Sequence, residues 1–99
     1  MDDVLLVMLK LDGTWMSDYT FSSLDTFGIR IGLHSSYTSL LDMLRGILNQ
    51  YKPNHSFRIS YMVDGCPPPV FIVDDETLKF YLYMKCLQSD VAKLPLCVE

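Results

Sequence analysis

The chain lacks an apolar run long enough to cross a bilayer. The longest, Val4–Leu9, ends at Lys10, against about 20 residues for a spanning helix. It also lacks the basic opening of a secretory leader, since Asp2 and Asp3 stand there instead, and no targeting segment is expected. Cysteine is scarce: Cys66, Cys86 and Cys97 are odd in number and show no CxxC spacing. Free thiols in a reducing compartment, nuclear or cytoplasmic, fit better than a disulfide framework. Positive charge is outnumbered, with 8 basic against 12 acidic residues and a net charge of −4. That balance argues against binding governed by neutralised phosphates. No phosphate loop and no nucleophile–base pair occur, so neither an enzyme nor a small-molecule substrate is expected. His34 and His55 fall in expected loops without a cysteine or acid at ligand spacing. Even with Cys66 they make a poor case for a metal site or a Cys/His nucleophile, and no cofactor is expected.

What is present is a globular composition, 99 residues of which 49% are hydrophobic and 20% charged, enough for one domain over residues 1–99. "VLLVMLKL" (4–11) reads as a strand that stops at Asp12-Gly13. Strand alternation turns Leu5, Val7, Leu9 and Leu11 to the core and Val4, Leu6, Met8 and Lys10 outward. "TWMSDYTFSSLDTFG" reads as a long irregular connection with Trp15 and Phe21 tucked in. "GIRIGL" (28–33) then sets Ile29, Ile31 and Leu33 against Arg30 in a second strand.

"YTSLLDMLRGILNQY" (37–51) repeats apolar residues at helical spacing behind Ser36, a good N-cap, and ends at Pro53-Asn54. "SFRISYMV" (56–63) alternates Phe57, Ile59, Tyr61 and Val63 against Arg58, Ser60 and Met62. After Asp64-Gly65, three prolines cannot sit in a central ladder. They form a loop or lead into an edge, and "VFIV" (70–73) is the strand they reach. At about 5% cis per X–Pro bond, a cis peptide is not expected there. Asp74 suits the N-cap of "DETLKFYLYMKCL", with Asp75 and Glu76 in a first turn that favours negative charge. Val73 and Leu78 hold the positions of a hydrophobic staple. Leu78, Tyr81 and Leu82 point inward, bordered by Met84–Lys85. "VAKLPLCV" (91–98) is a last strand, bulged or at an edge because of Pro95. The order strand, strand, helix, strand, strand, helix, strand predicts an α+β domain. A mixed sheet of about five strands with two helices on one face, as in the ubiquitin-like β-grasp, explains it best.

Three stretches, "YTSLLDMLRGIL", "RISYMVDGCPPPVFIVDDETLKFYLYMK" and "LPLCV", in this order and spacing, resemble the N-terminal domain of plant Mutator-like transposases and their domesticated relatives. That domain is compared with the Phox-and-Bem type of ubiquitin-like interaction module. The resemblance covers residues 4–98. It implies a β-grasp fold and a non-catalytic role in protein–protein interaction or self-association, beside a separate catalytic core. In the Phox-and-Bem family an acidic cluster opposes a basic face with a lysine on the first strand. Asp64, Asp74, Asp75 and Glu76 occupy the matching acidic positions and Lys10 the basic one. The hairpin here carries only Asp64 before "GCPPP", so the acidic face is depleted.

Each feature also has a plainer reading. The acids cap a helix; Lys10 keeps a sheet edge soluble; the prolines stiffen a turn rather than offer a polyproline ligand. Arg30 and Arg58 join Lys10 in an expected basic patch, which at about 1 kcal/mol per exposed pair needs apolar help. Met8 and Met62, with Val4 and Leu6, would form an apolar patch on the outer sheet face. A nucleic-acid accessory domain is the alternative function, against the net charge. A conjugatable modifier is not expected, since the stretch "LPLCVE" reads as a strand rather than a flexible Gly-Gly tail.

Overall fold

The computed structural model describes residues 4–48, 56–63 and 67–99. Its main sheet has five strands: β1 (Val4–Leu11), β4 (Asp25–Gly32), β5 (Ile59–Tyr61), β6 (Val70–Ile72) and β7 (Leu96–Val98). A two-stranded pair, β2 (Thr14–Trp15) and β3 (Phe21–Ser22), lies between β1 and β4 in the chain. The helices are α1 (Tyr37–Leu48), after β4, and α2 (Asp75–Cys86), after β6. Across the sheet the order is β4-β1-β7-β5-β6. β1 runs parallel to β7 and antiparallel to β4, while β5 is antiparallel to both β7 and β6. This is the expected α+β arrangement, a mixed five-stranded sheet with two helices, compatible with a ubiquitin-like β-grasp.

Alternation in β1 sorts the layers. Val7, Leu9 and Leu11 are buried and Leu5 is half-buried, whereas Val4 and Leu6 are exposed. The inner set packs in one core with Leu40, Leu44 and Leu48 of α1 and Leu78, Tyr81 and Leu82 of α2. At the start of α1 the Ser36 hydroxyl accepts from the Ser39 N–H at 3.1 Å, as an N-cap should. The tyrosine rings of β5 and α2, Tyr61 and Tyr81, meet at 4.8 Å, and the Tyr81 hydroxyl donates to the Leu94 carbonyl at 2.6 Å.

Several boundaries differ from expectation. β4 starts at Asp25 rather than 28, because all eight of its residues pair with β1. The connection before it is not irregular, since β2 and β3 pair within it. β5 and β7 are three residues each, shorter than their alternating stretches. The Val91–Pro95 segment turns instead of pairing, held by Lys85. That side chain is buried at 3% exposure, and its ammonium donates to the carbonyls of Asp90, Val91 and Lys93 at 3.5, 3.0 and 2.6 Å. Three carbonyls satisfy all three ammonium protons, which is what permits a buried lysine. The Pro67–Pro68 peptide is cis, against expectation, and the prolines lead into β6, an edge strand. The end of the α1 stretch, with Pro53-Asn54, and the turn at Asp64-Gly65 lie outside the described residues.

Candidate protein-interaction surfaces

The acidic end is built by capping. Asp74 is the N-cap of α2, and its carboxylate accepts from the Thr77 N–H at 2.9 Å. The Thr77 hydroxyl receives the N–H groups of Val73 and Asp74 at 2.8 and 3.0 Å. The hydrogen bonds from Thr77 hold the Asp74 carboxyl below its ordinary value. Asp75 reaches across to the other helix and accepts the Tyr37 N–H at 2.7 Å, so an acid of α2 caps the start of α1. Glu76 is exposed, and its backbone N–H joins Thr77 in holding the Asp74 carboxyl down. Two of the three carboxylates therefore hold local structure while remaining on the surface. The expected staple is not closed: Leu78 is buried but Val73 is 61% exposed. Asp64 lies outside the described residues.

The three basic residues share the outer side of the sheet but do not converge. Lys10 sits on a central strand, in register with Thr26 on β4 and Cys97 on β7, so it does not protect an edge. Arg30 lies opposite Leu6, and Arg58 continues the β5 ladder opposite Glu99. With a rise of about 3.3 Å per residue and about 4.8 Å between strands, Lys10 is about 14 Å from Arg30 and about 12 Å from Arg58, while the two arginines are about 24 Å apart. Arg58 is also engaged, with Glu99 at 3.3 Å and the Phe71 ring at 5.3 Å. In place of one basic patch the sheet carries three separated cations.

The β2–β3 pair is a strap over half of that outer face. The Trp15 indole donates to the Ser60 hydroxyl at 2.9 Å and meets the Phe21 ring edge-on at 5.1 Å. Ser60 and Cys97 are buried beneath it, although neither faces the core of the helix layer. Burial pushes the Cys97 thiol up to about 12, with Lys10 pulling it down and Glu99 pushing it further up. Lys10, Met62 and Cys97 line a shallow cleft with the strap's Trp15, Tyr19 and Phe21. Met62 is thus taken by the strap, and the expected apolar patch shrinks to Val4 and Leu6 at 44% and 53% exposure, with Met8 half-buried.

A second uncovered surface escaped the sequence reading. Phe80, Tyr83 and Leu87 are 60%, 65% and 84% exposed, on the side of α2 away from Leu78, Tyr81 and Leu82. The signal was present as a second i, i+3, i+7 series, overlooked because the inward series already accounted for the helix. Comparison with protein-family models, with curated proteins and with solved structures returned no match to this chain.

Proposed function

We propose that the domain is a non-catalytic protein–protein interaction module, the N-terminal domain of a Mutator-like transposase or of a protein domesticated from one. The observation that carries this reading is the uncovered half of the outer sheet face. Val4 and Leu6 stand exposed in the sheet's longest central strand, where an apolar side chain gains nothing unless a partner covers it. The strap supports the same reading by contrast, because the chain covers the other half of this face with its own residues. Lys10 and Arg30 flank the apolar residues and would set orientation and encounter rate more than affinity. The acidic end at Asp74–Glu76 is the weaker docking surface, since two of its acids are engaged in caps.

The test is a photo-crosslinking amino acid placed at Leu6, with an exposed control at Asp42 on α1. A discrete crosslinked protein at position 6, suppressed by excess unlabelled domain and absent at position 42, is the expected result. Equal yields at both positions would remove the basis for the reading. The nucleic-acid alternative predicts a salt-dependent shift of labelled DNA by the isolated domain.

A further inference from the structure

We propose that the outer edge of β4 pairs with the same edge of a second copy of this chain, joining two five-stranded sheets into one continuous sheet. This rests on the reading of the domain as an interaction module and adds a second surface to it, the sheet edge, with its partner. The two ends of the sheet are treated differently. β6, at one end, has three residues behind Pro67–Pro69 and runs directly into a capped helix. Short length and proline are the usual means of blunting an edge. β4, at the other end, has eight residues and no proline. No described strand pairs with its outer side, where every second residue directs its N–H and C=O away from β1.

The occupant follows from the strand's self-complementarity. A side chain at Gly28 would meet nothing within 4 Å, so the chain's own packing gives no reason for glycine there. The gap opens into a shallow groove of about 300 Å³ bordered by Leu6, Arg30 and Val91. Two residues further along the same face, Arg30 carries a long side chain into solvent. A two-fold axis perpendicular to the sheet keeps the core faces together and places one residue on the axis. With Ile29 there, antiparallel pairing sets Arg30 opposite the partner's Gly28, and the reverse, so each arginine stem fills the other's gap. On the inner face Ile29, half-buried although its β1 partner Val7 is fully buried, meets the partner's Ile29.

Sedimentation equilibrium from micromolar to millimolar protein, combined with amide hydrogen exchange over residues 25–32, tests the pairing. A dimer is expected, with exchange in β4 slowing as concentration rises. Gly28→Lys should weaken the dimer about tenfold by placing like charges opposite each other twice. It should leave the monomer's circular dichroism intact, because its Cβ position is open. Should that variant not fold, Arg30→Ala, which empties the gap, and the wild-type exchange arm still decide. A monomer at millimolar concentration, a dimer whose β4 exchange does not change, or a dimer indifferent to Gly28→Lys overturns the inference. A monomer whose crosslinks through Leu6 persist overturns the edge pairing and leaves the module reading standing.

Discussion

Thr77 does more for the start of α2 than the three acids before it. Its hydroxyl takes two backbone N–H groups and also touches the Asp74 carboxylate at 2.9 Å. Asp74 was legible as a cap; Thr77 was not, because the usual sequence signature has glutamate or glutamine at that position. Thr77→Val should therefore cost about 1 kcal/mol, read as a fall of about 4–8 °C in the thermal midpoint. Lys85 was legible as a bordering position, while its burial was not. Its three carbonyl acceptors come from a loop that turns back only after the strand fails to extend. Lys85→Met keeps most of the stem but strips those carbonyls of their donor. A loss of about 1–3 kcal/mol in urea unfolding is expected, with proteolytic cleavage appearing between residues 87 and 95. The thiols separate in the same way: exposed Cys86 should react with a thiol reagent at neutral pH. Cys97, buried with its thiol pushed up to about 12, should react only on unfolding.

Among the elements, the strap shows the largest gap between sequence and structure. Nothing in "TWMSDYTFSS" alternates, and its form depends on contacts distant in the chain. Trp15 docks on Ser60, 45 residues away. Asp18 ties its tip by accepting from the Thr20 N–H and hydroxyl at 3.2 and 2.7 Å, and Tyr19 adopts a positive φ of 62°. Gly13 is where the strap leaves the sheet, and a Cβ there would run into the Ser22 carbonyl oxygen and the Phe21 ring. Gly13→Ala should lift the strap while the core stays folded. The emission of Trp15, the only tryptophan, should move to the red with far-ultraviolet circular dichroism preserved. The lengths of β5 and β7 were overread for a related reason. Alternation marks which residues share a face, whereas ladder length is set by how far the neighbour runs alongside.

At the scale of the whole molecule, ionisation links the core to pH. Burial raises the Tyr61, Tyr81 and Cys97 groups above their ordinary values. The Tyr61 hydroxyl, moreover, is buried without a hydrogen-bond partner among the described residues. Above the unfolded values, near 9 for cysteine and 10 for tyrosine, the unfolded chain releases protons that the folded chain keeps. Stability is then full below about pH 9 and falls as pH rises through the raised values. The hydrogen-bonded carboxylates of Asp18 and Asp74 act at the other end, where both are lowered by Thr20 and Thr77. Their contribution is present above the ordinary carboxylate value and lost as pH falls through the lowered one. Urea midpoints across the pH range should show a plateau with a steep alkaline flank. Tyr81→Phe should soften that flank, since it removes one of the buried protons.

Local physics was enough to determine the faces of β1, the N-caps Ser36 and Asp74, the edge position after the prolines, and the α+β class. Each depends on periodicity, on a cap or on a missing N–H, which act within a few residues of chain. Only the tertiary structure decided that Lys10 lies on a central strand and that Arg30 and Arg58 stand far apart on the sheet. The same holds for the strap's cover of half the outer face and for the open edge of β4. Those outcomes depend on which strands become neighbours and in what register, and register is settled by packing the whole sheet against both helices at once.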